Sequence, residues 1–112
     1  MPPIILELEQ DPTSNDSTTI FRAKGKLSLE TVSAFIQRLR PDASAKLVLE
    51  MSGVSFLDSA GVGALVSLFV SRRNQGKALA LAGLGPQATA VVTVAGLTNM
   101  LPLYKTLEEA RK

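Results

Sequence analysis

Strand-like and helix-like segments alternate along most of this chain, and that alternation limits the possible folds more than any other feature. The strand-like segments show period-two alternation or short apolar runs between turn residues, at positions 4–9, 18–24, 46–51, 77–82 and 100–104. A cluster of turn formers separates the first two, which predicts a hairpin. The later segments are separated by helical patterns, and this implies parallel strands joined by helical crossovers. The sequence therefore predicts an α/β fold.

The helical segments have recognisable beginnings and ends. Ser28 is a natural N-cap for the first helix, and Pro41 stops it. One apolar stripe along this helix is expected to face the core: Val32, Phe35, Ile36 and Leu39. Further helices are predicted at 59–74, from Pro86 in a first turn, and after Thr106, which with the glutamate three residues later forms a capping box.

Some boundaries rest on single turn signals. Ser52 and Gly53 are expected to end the third strand, after which 54–57 leads into the second helix. The alanines of 77–82 leave a helix open as an alternative there. The flanking Gly76 and Gly83 bracket a length that favours a strand.

Composition excludes several classes of function. The chain has no cysteine and no histidine, so it cannot build a disulfide, a thiolate nucleophile, a Cys/His zinc site or a Ser-His-Asp triad. The net charge of +2, without a Lys/Arg cluster, argues against direct nucleic acid binding. The pairs Arg72-Arg73 and Arg111-Lys112 are expected at solvated helix ends. No metal site and no cofactor are predicted.

Length and hydropathy predict one small soluble domain. A chain of 112 residues is enough for a single domain, assigned to 1–112. The N-terminus lacks the basic start and apolar block of a signal peptide. The longest apolar-rich stretch, 60–70, is far shorter than the ~20 residues of a spanning helix. These features predict a cytoplasmic protein without membrane insertion.

The segment that starts the second helix breaks the usual rules of helix composition. Gly61 and Gly63 fall in or near its first turn, where each costs up to about 1 kcal/mol against alanine. Such a local cost indicates close backbone approach or a functional site. Asp58 and Ser59 lie at the same strand-to-helix junction, where open α/β sheets meet ligands and where the helix dipole favours anions. A helix cap and a phosphorylation site on Ser59 are both open readings, and they are compatible.

The second helix carries an unusually broad apolar surface. One stripe combines Val62, Leu65, Val66 and Phe69, and further apolar residues extend it around the helix. Deep packing explains this pattern. The alternative is that part of the surface, with Val62 nearest the junction, is exposed for a protein partner. The glycine spacing matches no nucleotide-binding fingerprint, because a third glycine and a P-loop lysine are both absent.

Segments 46–54 and 56–65 together resemble the signature of STAS domains of the bacterial anti-sigma factor antagonist type. The similarity extends to 25–27 before the first helix and to 107–110 at the end of the chain. It implies a mixed β-sheet of about five strands, with about four helices packed mainly on one side.

The resemblance also implies a function. Ser59 matches the serine that is phosphorylated by a partner acting as both anti-sigma factor and serine kinase. The unphosphorylated form would bind this partner and release a sigma factor, and a serine phosphatase would restore the serine. Asp58 would position the hydroxyl or the helix start. A monomer or weak dimer is expected.

The predicted partner-binding residues surround the start of the second helix: Asp58, Ser59, Ala60, Gly61, Val62 and Ser28. Ser28 departs from the family pattern, since many members have an acidic residue there close to the phosphorylated serine. Glu50 stands where aspartate is usual. The change at Ser28 is expected to alter the geometry of kinase contact.

Other functions remain as alternatives. A scaffold or adaptor STAS protein of a signalling assembly would form a large homo-oligomer, and a soluble STAS subunit of a membrane lipid transporter would co-purify with membrane proteins. Catalysis is not expected, because Ser59 beside Asp58 needs a base and the chain has no histidine. Nothing in the sequence places Lys26 or Lys77 beside Ser59.

Overall fold

The computed structural model describes residues 5–15 and 17–112 and shows the α/β fold predicted from the alternation. Its elements follow in chain order: β1 (Leu6–Gln10), β2 (Thr18–Leu27), α1 (Val32–Leu39), β3 (Lys46–Leu57), α2 (Ser59–Asn74), β4 (Ala78–Ala82), α3 (Pro86–Val94), β5 (Leu103–Tyr104) and α4 (Leu107–Ala110). The strands form one sheet in the order β1-β2-β3-β4-β5. β1 pairs antiparallel with β2, and every later pair is parallel.

The main core lies on one face of the sheet. Alternate strand residues such as Leu47, Leu49 and Leu81 point to this face and are fully buried against α1, α2 and α3. The opposite face has a smaller cluster, in which α4 packs Ala110 near Ile20 and Val48. The predicted mixed sheet with helices mainly on one side is therefore confirmed.

The third strand is longer than the turn signal indicated. Ser52 and Gly53 do not end β3, which continues to Leu57. A Cβ at Gly53 would lie 2.9 Å from the Ala23 carbonyl oxygen, so the glycine permits close pairing with β2. The register shifts between Arg22 and Lys24 take up the local irregularity. The prediction that Ser52-Gly53 closes the strand is wrong because a glycine within a strand can mark close approach.

The first helix begins later than predicted. Its N-cap is Thr31, whereas Ser28 opens the preceding turn, in which its carbonyl accepts hydrogen bonds from the N–H groups of Thr31 and Val32. The Thr31 hydroxyl holds this turn by donating to the Lys26 carbonyl over 2.7 Å. The sequence favours both residues as caps, and tertiary contact with the end of β2 decides between them.

Other boundaries shift by a few residues. β2 runs on to Leu27, and β5 contains only residues 103 and 104 of the predicted 100–104. Residues 78–82 of the predicted 77–82 form a strand, as the flanking glycines favoured. Position 4 of the predicted first strand lies outside the described residues. Within 5–15 and 17–112, the helices are all too short or too polar to cross a membrane.

Arg72 corrects another expectation, because it is buried rather than solvated. Its side chain is 3% exposed, and its guanidinium donates to the carbonyls of Ala78, Asp42 and Ser44 over 2.9, 3.2 and 2.7 Å. Burial lowers the pKa of this guanidinium, and the negative charge of Asp42 opposes the shift. Arg72 thus joins the end of α2 to the segment that leads into β3 and to the first residue of β4.

The two adjacent arginines provide a matched test of this role. Arg72→Met should lower the free energy of unfolding by about 3 kcal/mol, because three carbonyls lose a charged donor. Arg73→Met, at an exposed position over the Phe69 ring, should change it by no more than about 1 kcal/mol. Urea unfolding measures both values, and equal losses would contradict the assigned role of Arg72.

Candidate functional site

The β3–α2 junction, residues 57–61, is organised by the carboxylate of Asp58. Its Oδ1 accepts a hydrogen bond from the Gly61 N–H over 2.8 Å and caps α2. Its Oδ2 accepts from the Leu29 N–H over 3.1 Å and so joins the helix start to the turn before α1. One half-buried side chain thus fixes two separate segments relative to each other.

Ser59 is the first residue of α2 and is exposed. The cap of the helix comes from Asp58, so the Ser59 hydroxyl lies outside the capping hydrogen bond. Of the two readings left open for the junction, the capping role therefore belongs to Asp58. A group attached to Ser59 would extend from the positive end of the helix dipole without displacing the cap.

Gly61 lies in close contact with neighbouring backbone, which confirms the prediction made from its unfavourable helix propensity. A Cβ there would overlap the Leu27 carbonyl oxygen and lie 2.7 Å from Leu57 Cδ1. Gly63 differs, since a Cβ there would have open space around it. The two glycines therefore have different structural effects. Gly61 lets α2 begin against the end of β2, whereas Gly63 leaves the exposed surface near Ser59 without a side chain.

This contrast predicts opposite effects of the same substitution. Gly61→Ala should lower the free energy of unfolding by about 1–3 kcal/mol, because the added methyl meets backbone. Gly63→Ala should raise it by about 0.5–1 kcal/mol through helix propensity. Thermal or urea unfolding of the two variants decides the matter. A Gly61→Ala protein as stable as the parent would show that the contact with Leu27 is not tight.

An apolar groove of about 650 Å³ runs between α2 and α3 beside the junction. We call it the α2–α3 groove, and its lining residues are Ser59, Val62, Gly63, Val66, Ala90, Val91, Val94, Ala95 and Leu97. Val94 is the most exposed of its large apolar residues, at 89%. The chain carries no charged residue over 59–71 or over 78–104, so both walls of the groove are uncharged. Such an apolar surface is typical of a protein-binding site.

Val62 does not provide the exposed apolar surface that was considered for it. It is 6% exposed and packs into the main core, with only an edge reaching the groove. The exposed apolar surface comes instead from α3, above all from Val94. Periodicity along one helix could not show this, because packing against α1, α3 and the sheet decides which side chains of α2 are buried.

The other predicted partner-binding residues differ in accessibility. Ala60 is half-buried beside Ser59, and Gly61 is buried beneath it. Ser28 is 3% exposed, and its hydroxyl donates to Glu30 Oε2 over 2.9 Å. Ser28 thus holds an exposed carboxylate two positions later, on the same turn that contacts Asp58. Its predicted partner contact stays a prediction, and Glu30 is the group that can reach a partner.

Sequence reasoning missed two further residues at the junction. Leu29 is 71% exposed, and its backbone binds Asp58. Gln87, in the first turn of α3, makes two hydrogen bonds to the backbone of Leu57. The sequence did carry a signal for Leu29, because a large apolar residue directly after the predicted cap Ser28 is unusual for a solvated turn. No local pattern could reveal the Gln87 contact, since its partner lies 30 residues earlier.

Comparison with known proteins assigns the family. A family model described as the STAS domain matches residues 9–110. The chain therefore belongs to the STAS domain family, as the resemblance in 46–65 indicated.

Solved structures agree with this assignment at the level of the fold. An anti-sigma factor antagonist from Mycobacterium paratuberculosis superposes with a TM-score of 0.85 at 23% identity, covering 98% of this chain and 94% of that one. Phosphorylated SpoIIAA, a cell fate determinant from Bacillus, gives 0.71 at 20% identity, covering 94% and 96%. A sulfate transporter family protein from Wolinella succinogenes gives 0.76 at 17% identity, covering 88% and 84%. The fold thus occurs in regulators and in transport proteins.

Proposed function

We propose that this protein is an anti-sigma factor antagonist whose binding is switched by phosphorylation of Ser59. In this proposal the unphosphorylated form binds an anti-sigma factor that is also a serine kinase, and a sigma factor is thereby released. Phosphorylation of Ser59 by that kinase ends the binding, and a serine phosphatase restores it. The observation that carries the proposal is the exposed position of Ser59 as the first residue of α2, where the cap is made by Asp58.

The electrostatics of the junction explain how a phosphate would act on binding rather than on folding. A phosphoserine carries about −1.5 to −2 charges, and a helix N-terminus stabilises such a group. The cap and the Leu29 contact involve only Asp58, so the added phosphate leaves both in place. The Asp58 carboxylate next to it repels the phosphate toward solvent, where a partner would dock.

Because the α2–α3 groove is uncharged, a charge at Ser59 would strongly affect the binding of a partner there. Ser59 belongs to its lining, together with Val62 and Val66. A partner that covers the groove would bury an unphosphorylated hydroxyl at small cost. It would have to desolvate a dianion in the phosphorylated form, and that cost weakens binding. We assign the partner surface to Ser59, Ala60 and the groove, with Glu30 at its edge.

The similar structures support this choice among STAS functions. SpoIIAA, an anti-sigma factor antagonist, has been solved in an unphosphorylated and in a phosphorylated form. In the proposed role the chain acts as a binding protein and as a kinase substrate, in the cytoplasm, as a monomer or weak dimer. It makes no direct contact with nucleic acid.

The switch predicts opposite behaviour of two Ser59 variants. Ser59→Ala should bind the kinase with wild-type affinity whether or not ATP is present. Ser59→Asp should bind at least about tenfold more weakly, equivalent to ~1.4 kcal/mol, because a charge enters the interface. Pull-down and titration with each anti-sigma factor kinase encoded in the source genome, with and without ATP, measure both effects.

Ser67→Asp is the matched control, since it places the same charge at an exposed position of the same helix. It should bind the kinase and respond to ATP as the wild type does. If ATP leaves the wild type bound, or if Ser59→Asp binds as tightly as Ser67→Asp, the switching role is contradicted.

A second candidate function is that of a STAS subunit of a membrane lipid transporter. The similarity to the sulfate transporter family protein from Wolinella succinogenes supports a transport-linked role in general and does not indicate lipid as the substrate. Stable co-purification with a membrane transport complex, unaffected by Ser59→Asp, would favour this function over the switch.

A further inference from the structure

The end of β3 lacks a strand on one side. β3 pairs with β4 only from Lys46 to Glu50, and the pairing ends where Glu50 lies opposite Ala82, the last residue of β4. Beyond that point β3 continues to Leu57, paired with β2 alone. The backbone groups of Leu57 that face away from β2 therefore need another partner, because buried peptide groups are rarely left unbonded.

Gln87 supplies both hydrogen bonds at this position. Its Oε1 accepts from the Leu57 N–H over 2.8 Å, and its Nε2 donates to the Leu57 carbonyl over 2.8 Å. A primary amide offers the same donor and acceptor as a peptide group. The side chain of Gln87 thus replaces one residue of a neighbouring strand, and it does so immediately before Asp58 and Ser59.

We propose that Gln87 is a positioning residue for the phosphorylation of Ser59, an inference that rests on the proposed function. It fixes the Leu57 peptide groups, and this fixes the backbone from which Asp58 caps α2 and Ser59 presents its hydroxyl. Phosphoryl transfer requires the attacking oxygen in line with the phosphate, and misplacement by about 1 Å can reduce a rate by about 100-fold.

The place of Gln87 in α3 explains why it should affect transfer more than docking. The groove takes its lining from later residues of the same helix, including Val91 and Val94, and Gln87 is not among them. Its loss would leave the docking surface unchanged and loosen the junction. The helix that receives a partner is also the helix that holds the phosphorylated segment.

The first test measures the junction without any partner. Gln87→Met keeps the length of the side chain but removes Oε1, the acceptor of the Leu57 N–H, together with the Nε2 donor to the Leu57 carbonyl. In this variant the Leu57 amide should exchange with solvent at least about tenfold faster in NMR. The Leu49 and Leu81 amides, within β3 and β4, should keep their protection. Thr93→Ala, at an exposed position of α3, is the control and should leave Leu57 unchanged. Unaltered exchange at Leu57 in Gln87→Met would overturn the proposal.

The second test uses the kinase that phosphorylates wild-type Ser59 in the pull-down experiment. With it, Gln87→Met should lower kcat at least about tenfold and leave KM within about twofold, whereas Thr93→Ala should change neither. A loss confined to KM, or none at all, would overturn the positioning role. If no kinase phosphorylates the wild type, the proposed function fails, and the exchange of the Leu57 amide alone decides whether Gln87 holds the junction.

Discussion

The two hydrogen bonds of the Asp58 carboxylate are the interaction on which the candidate site depends. One satisfies the first turn of α2 at Gly61, and the other holds the turn before α1 at Leu29. The acceptor capacity of one carboxylate thus sets the geometry of two segments that are distant in sequence. Because Asp58 has the structural role, the neighbouring Ser59 is available for a regulatory one.

The surface beside the junction is uncharged, so a charge added at Ser59 would change it strongly. Uncharged side chains line the α2–α3 groove, and two carboxylates close to Ser59 in sequence or in the adjoining turn, Asp58 and Glu30, are held by hydrogen bonds to the turn before α1. A dianion on Ser59 would therefore change the polarity of the docking surface much more than it changes the packing of the core. Proteins in which a modification controls binding need this independence, since a phosphate that unfolded the domain would also abolish its recognition by a phosphatase.

Local sequence patterns predicted the parts of this molecule that depend on local physics. Alternation and turn residues gave the order of strands and helices, and the cost of Gly61 in a helix indicated close approach. Contacts across the fold were not predictable in this way. Arg72 binds carbonyls before β3, and Gln87 binds Leu57 from a different helix. The sequence predicted Ser28 as the N-cap of α1, whereas the cap is Thr31. Serine and threonine are both favoured at N-caps, so residue type alone could not distinguish the two positions. The assignment of Ser59 as a phosphorylation site remains a prediction.

A phosphate on Ser59 is expected to leave the fold intact and to change only the surface of the junction. Protein carrying genetically encoded phosphoserine at position 59 allows this to be measured without a kinase, by comparing its amide NMR spectrum with that of the unmodified protein. Shift changes should be confined to residues 57–63, the turn at 28–31 and the lining of the groove, with amides of β3 and β4 such as Leu49 and Leu81 unmoved. Changes spread through the sheet, or a collapsed spectrum, would show that the phosphate disturbs the fold.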